Sequence, residues 1–375
     1  MALADMTADT TAVLTVNPGS HSLRLHVVDT GTEQVLASAT STDKPDSESA
    51  ARTLGDLLDE VDQPVDAVGH RLVHGGPHLR SPTVVDDSAI EHARTAAALA
   101  PAHVPVTLEI LEAARKKLPD VPHVLCPDTA FHAGLPDVSA TYPLPEPWRR
   151  EHGLRRYGFH GLSYAWATAR AATVLNRPVE SLHLLLAHLG GGCSVCAVRE
   201  GSSVDTSMGF TPLAGVPMST RSGSVDPGML LWLLDRIPAD ELRDGLYHRS
   251  GLLGLSGSSG DTRDLVRAAA DGDDRARLAL DVFTRRVSQS LAAMAVALPT
   301  LDALVFTGEI GWDQPEVRQA ICRDLTMLGV PANLAGGNPT TDDVLSSPLA
   351  PVQVLAVQPR EELQIARECE RAVTG

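Results

Sequence analysis

Positive charge is scarce in this chain: 31 Lys and Arg stand against 47 Asp and Glu, for a formal net charge of −16. So acidic a surface repels nucleic acid and anionic membranes, which excludes both as partners, and an anionic small substrate would need a local cationic pocket. Long apolar runs are also missing, none reaching the ~20 residues that span a bilayer. The first ten residues hold Asp5 and Asp9 and no basic residue. A soluble, cytoplasmic protein is therefore expected. Cysteine is sparse: Cys126, Cys193, Cys196, Cys322 and Cys369 are odd in number and scattered, which argues against a disulfide framework. Cys193-Ser194-Val195-Cys196 has redox or half-zinc spacing, but it sits in an alternating, strand-like run with no second pair at suitable spacing. These cysteines are expected as small buried hydrophobes.

What is present points to two domains, since 375 residues exceed what one core usually serves. A repeat organises them. Ala12 to Val16 reads as a buried strand, Asn17 to Ser22 as a polar tight turn, and Leu23 to Val28 as a second strand. The same grammar returns in Leu182 to Leu189, Gly190-Gly191-Gly192, and Cys193 to Val198, which predicts a duplicated α/β unit. Each small-residue turn can aim backbone N–H groups at phosphate oxygens. His183 and His188 flank an apolar run and read as core histidines; the glycines after His188 mark it alone for function. Apolar spacing predicts helices over Ala89 to Leu99, Val106 to Lys117 and Tyr164 to Leu175. Prolines crowd Val121 to Arg149, where the chain is expected to cross between halves: residues 1–130 completed by 363–375, and residues 131–362.

The most informative stretch is His152-Gly153-Leu154-Arg155-Arg156-Tyr157-Gly158-Phe159-His160-Gly161, where cations and glycines lie together as an anion site needs. With Asp128-Thr129-Ala130-Phe131-His132 before it and Asp205 to Leu213 after it, the chain resembles the acetate kinase family of acyl phosphate kinases, from Asn17 to the Glu361-Glu362-Leu363 segment. The resemblance implies a duplicated ribonuclease H-like (actin-like ATPase) α/β fold with an interdomain cleft, a homodimer, acetate and ATP as substrates, and Mg²⁺ or Mn²⁺ as cofactor. It also implies that the C-terminal helix rejoins the first domain.

A carboxylic acid is already ionised at neutral pH, so phosphoryl transfer to it needs no general base. The obstacle is bringing two anions in line, which calls for cations that hold them together and stabilise charge on the transferring oxygens. Arginine suits this, since its planar fork grips carboxylate or phosphate bidentately. By resemblance, Arg71 in Gly69 to Gly76 is the substrate arginine, Arg221 in Met218 to Gly223 the second active-site arginine, His160 the transition-state histidine and Asp128 the catalytic aspartate. Asn17 and Glu361 match the magnesium-associated positions, which fits a cation that takes oxygen ligands and keeps several waters. Val73, Ala102, Phe159 and Pro212 match the pocket for the acetate methyl group. Arg24, His188, Gly190, Gly191, Gly192, Asp261, Thr262, Arg263, Glu309, Ile310, Gly311, Trp312 and Asp313 match the nucleotide shell.

The departures from the family pattern concentrate in that shell. Gly191 stands where Asn is usual, Ser219 where Gly is, Glu309 and Trp312 where Gly and Glu are, Asp313 and Arg360 where Asn is, and Arg24 where Lys is. Val104 replaces Asn, Ala214 replaces Glu, and Ala102 replaces Leu. Three readings are open: an ATP-dependent acetate kinase, an acyl kinase with another acid such as propionate or another phosphoryl donor, and a non-catalytic nucleotide-binding relative. Retention of Arg71, Asp128, His160, Arg221 and Glu361 favours an active kinase.

Overall fold

The computed structural model describes residues 12–19, 22–42, 47–61, 63–101, 103–334 and 337–375. It divides into two compact units, Met1–Ala133 with Arg360–Gly375, and Gly134–Pro359. Twelve strands are described: β1 (Ala12–Pro18), β2 (Leu23–Asp29), β3 (Gln34–Ser41), β4 (Ala67–Leu72), β5 (Thr83–Val84), β6 (His123–Pro127), β7 (His183–Leu189), β8 (Cys193–Arg199), β9 (Ser202–Thr206), β10 (Ala303–Thr307), β11 (Asp343–Val344) and β12 (Gln353–Ala356). The first unit orders its sheet β3-β2-β1-β4-β6-β5, and the second, read from its own β9 edge, β9-β8-β7-β10-β12-β11. Six strands on, the second order repeats the first position for position. The hairpins β1–β2 and β7–β8 are antiparallel, and the crossovers β1–β4 and β7–β10 are parallel. The duplicated α/β unit expected from the repeat is therefore present in topology as well as in sequence.

The periodic stretches form helices, with edges set by local chemistry. The first runs Asp87–Ala96, two residues earlier than apolar spacing suggests, because the Asp86 side chain caps it by accepting from the Ala89 N–H at 2.7 Å. The second begins at Val104, with Pro105 in its first turn, where a missing N–H costs nothing. The third begins at Gly161, directly after His160. In the first unit Leu14, Val16, Leu25, Leu54, Leu57 and Ile110 form one buried cluster between sheet and helices. The C-terminal helix Glu361–Thr374 buries Leu363, Ile365, Ala366 and Cys369 within this unit. Gly69 on β4 permits the approach: a Cβ there would stand 2.6 Å from the Ile365 side chain.

All five cysteines are free and buried. Cys193 and Cys196 lie three apart on β8, which turns them to opposite faces of the strand, and burial pushes both thiols up to about 12. That geometry suits neither a disulfide nor a shared metal. Among the described residues no helix is long and apolar enough to cross a membrane.

One buried pair links this fold to pH. His70 on β4 and His123 on β6 stack, with His70 Nε2 2.9 Å from His123 Nδ1 and His123 Nε2 3.1 Å from the Leu118 carbonyl. The order of bonds that satisfies these contacts has His123 donating to Leu118 and His70 donating to His123, with both rings neutral. Burial, and then the charge of its partner, holds His70 well below the ordinary 6.5. A base whose folded pKa is depressed binds protons better when unfolded, so its stabilisation is complete above about 6.5 and is lost as pH falls below it. From His70 alone the unfolding free energy should drop by about 1 kcal/mol between pH 6.5 and 5.5. Urea titrations across that window should show the slope, and His70→Gln should flatten it; equal slopes would contradict the assignment.

Candidate functional site

In the first unit, four side chains spread over the sequence close into one network. Asn17 lies near the end of β1, Arg71 near the end of β4, Asp128 follows β6 and Glu361 opens the C-terminal helix, so three parallel strands and one helix bring them together. Arg71 grips Asp128 with its fork, Nε to Oδ1 at 3.1 Å and Nη2 to Oδ2 at 2.7 Å. Its Nη1 donates to Asn17 Oδ1 at 3.0 Å and lies 3.3 Å from Glu361 Oε2, to which Asn17 Nδ2 donates at 2.9 Å. The two partners of the ion pair pull in opposite directions. Burial, seconded by Glu361, pushes the Asp128 carboxyl above its usual value, while Arg71 draws it down. Burial likewise opposes the Arg71 charge, yet Asp128 and Glu361 outweigh it and raise the guanidinium pKa. The bidentate geometry decides for the ionised pair.

In the second unit a different arrangement faces the glycine turn. His160 adopts a left-handed conformation, φ 59°, a strained state for a residue with a side chain, at the entry to helix Gly161–Val174. A Cβ placed on Gly192 would stand 3.1 Å from His160 Nε2 and 3.8 Å from Arg221 Nη2. Both groups thus converge on the turn between β7 and β8, and glycine keeps the space open. Arg221 is the unusual member. Its Nη1 donates to the Pro212 carbonyl at 3.0 Å, but among the described residues no carboxylate forms an ion pair with it, and burial lowers its pKa. A partly buried guanidinium so placed has charge left for an anion. The His188 ring stacks on that of His160, centroids 4.2 Å apart, and its Nδ1 meets Ser163 Oγ at 2.8 Å.

Beside the turn lies a cavity of about 130 Å³ lined by Gly190, Gly191, Asp261, Thr262, Arg263, Glu309, Ile310 and Asp313. Ser219, Gly260 and Gln314 complete it, and of these only Gln314 carried no sequence signal. Asp261 caps helix Thr262–Ala270 through the Arg263 N–H and also holds the Arg263 guanidinium, Nη2 to Oδ2 at 2.7 Å. Gly308 has φ 80°, and a Cβ there would clash with the Leu189 carbonyl, so only glycine lets the short helix Gly308–Asp313 pack against β7. Gly311 and Trp312 do not line the cavity; their carbonyls accept from the buried Arg318 at 3.0 and 2.6 Å.

The remaining candidates divide. Arg24 lies on β2 in the first unit, paired in register with Asn17. Val73 is buried in the first unit, Phe159 and Pro212 in the second, while Ala102 lies outside the described residues. Of the basic run, Arg156 spends its guanidinium on the Ser139, Ser207 and Met208 carbonyls and Arg155 turns to the Arg156 carbonyl. These two arginines brace loops, and His160 alone of the run's basic residues faces the glycine turn. Ser194 and Tyr164, which contact His160 and each other, carried no sequence signal beyond their place near the glycines.

The model of the Acetokinase family matches residues 37–367. An acetate kinase of Deinococcus radiodurans is 45% identical over 332 residues, covering 86% of this chain and 83% of its own. Among solved structures, the acetate kinase of Porphyromonas gingivalis superposes with a TM-score of 0.90 at 32% identity, over 97% of this chain and 100% of its own. A propionate kinase of Francisella tularensis gives 0.89 at 31% identity, over 96% and 99%.

Proposed function

The chain belongs to the acetokinase family, and on that premise we propose that it transfers the γ-phosphoryl group of ATP to acetate by direct in-line displacement, giving acetyl phosphate and ADP reversibly. The observation that carries the reading is Arg221, a partly buried cation with no carboxylate partner among the described residues, beside the imidazole of His160 and a glycine turn. Arg221 and His160 stabilise charge on the transferring phosphoryl oxygens. Arg71 binds the acetate carboxylate, and Asp128 aims its fork. Val73, Phe159 and Pro212 supply apolar contact for the methyl group. Backbone N–H groups at Gly190 to Gly192 take the phosphates, with Asp261, Arg263, Glu309, Ile310 and Asp313 around the nucleoside.

Asn17 and Glu361 would hold Mg²⁺ or Mn²⁺. The fit rests on the hard oxygens of two side chains held side by side, Asn17 Nδ2 donating to Glu361 Oε2 at 2.9 Å, with Asp128 joined to them through Arg71. Among the described residues no cluster of three or more His, Cys, Asp or Glu could hold a metal; so sparse a set suits a cation that keeps waters and shares substrate phosphates. Bound there, the ion would neutralise phosphate charge. The test of the assigned reaction is kcat/KM for ATP and pyrophosphate as donors and for acetate, propionate and butyrate as acceptors. ATP with acetate should lead, and a clear preference for pyrophosphate or for a longer acid would replace this reading with its alternative.

The glycine at 191 makes a sharper test. A Cβ there meets nothing within 4 Å, so Gly191→Asn fits without displacement. One added hydrogen bond to phosphate, about 1 kcal/mol, should lower the nucleotide KM about five-fold and leave the acetate KM alone. An unchanged nucleotide KM would place the turn away from the phosphates.

A cytoplasmic homodimer completes the proposal. Helix Pro227–Leu234 buries none of its residues, and Leu231 and Trp232 are 67% and 55% exposed. A second copy of the chain is the occupant this apolar face would take. Sedimentation should show a dimer that Leu231→Glu with Trp232→Glu converts to monomer; an unchanged dimer would move the interface elsewhere.

A further inference from the structure

We propose that Ser194 and Tyr164 are positioning residues that fix the tautomer of His160, so that its ring presents Nε2–H towards the glycine turn. The inference builds on the proposed role of His160, but its geometry is independent of the reaction. Tyr164 Oη lies 2.5 Å from Ser194 Oγ, and Ser194 Oγ lies 2.9 Å from His160 Nδ1. Tyr164 and Ser194 are completely buried, so water does not arbitrate between donors.

The direction of the chain follows from proton counting. Each hydroxyl carries one proton. The phenol proton needs an acceptor in this buried site, and Ser194 Oγ stands 2.5 Å from the phenol oxygen to take it. Ser194, having accepted, gives its proton to His160 Nδ1. The imidazole proton must then sit on Nε2, the nitrogen that stands 3.1 Å from the point above Gly192 where a Cβ would be. Burial raises the Tyr164 pKa well above the ordinary value, so the phenol keeps the proton that starts the chain.

His188 stacks on the ring at 4.2 Å, and the Arg221 guanidinium shares the same turn. With its proton on Nε2, the ring can donate a hydrogen bond to a phosphoryl oxygen seated there. The left-handed backbone of His160 sets where the ring starts, and the hydroxyl pair sets which nitrogen is armed. With Ser194 gone, Nδ1 would face a void and either tautomer would form.

The test uses the full-length, ¹⁵N-labelled enzyme without substrates, read by long-range proton–nitrogen correlation of the His160 ring, and steady-state kinetics of the same proteins. The wild type should show Nε2 protonated and Nδ1 bare. Ser194→Ala should bring in the Nδ1–H form and lower kcat about ten-fold or more, with the KM for acetate and for ATP within about two-fold. Tyr164→Phe removes only the hydroxyl and should act in the same direction by a smaller factor, so the test survives if Ser194→Ala folds poorly. An Nδ1–H ring in the wild type, or a tautomer unmoved in both variants, overturns the proposal. Should the ring behave as stated in a protein without acyl kinase activity, the positioning role stands and the function assigned to the site falls.

Discussion

Replacing Arg221 by alanine is expected to lower kcat by two to three orders of magnitude, roughly the loss found when one preorganised transition-state donor is removed, and to leave the protein at least as stable as before. The two halves of that expectation come from one fact. Arg221 is partly buried, bonded to the Pro212 carbonyl and with no carboxylate in ion-pair range among the described residues, so the folded state carries part of its desolvation without a counter-charge. Removing it relieves that cost. A residue kept at the expense of stability is kept for what binds to it. Thermal unfolding and turnover measured on one preparation will check both halves, and wild-type turnover in Arg221→Ala would make the side chain structural.

Arg71→Ala should lose a similar factor in kcat/KM, with the opposite effect on stability. Here the guanidinium holds Asp128, itself 1% exposed, at 2.7 Å and lies within reach of Glu361. Its removal strands a buried carboxylate, a defect that typically costs about 3–5 kcal/mol, and the loss of stability should be largest where Asp128 is ionised. Arg71→Lys should recover part of the stability and little of the activity, because a point charge cannot span both carboxylate oxygens. An unchanged melting temperature in Arg71→Ala would show that the network is not the scaffold proposed here.

These two arginines also mark what the sequence could and could not convey. The strand, turn and strand grammar around Asn17 and around Gly190 to Gly192 was readable because period, turn residues and buried runs are local, and the identical sheet orders follow from it. The helix over Asp87–Ala96 was readable in body but not in start, since Asp86 as a cap is decided by one side-chain bond. Asn17 and Glu361 are 344 residues apart, and no spacing rule connects them; family resemblance alone named both, and the fold brings them to one hydrogen bond. Two errors of reading share a cause. Arg155 and Arg156 counted as anion-binding charge by composition, but loop carbonyls claim them. Ser194 drew no reading of its own, yet its hydroxyl bridges Tyr164 and His160. In both cases the partner lies on a different element, and only tertiary structure determines which polar group a side chain answers.

The central claim is tested most directly by following a mixture of the purified chain, ATP, Mg²⁺ and acetate by ³¹P NMR, then the reverse mixture of ADP, Mg²⁺ and acetyl phosphate. The account predicts acetyl phosphate and ADP appearing together in the first, ATP in the second, and neither after chelation of the metal. Failure to form acetyl phosphate from ATP and acetate, with the protein folded and metal present, would contradict it.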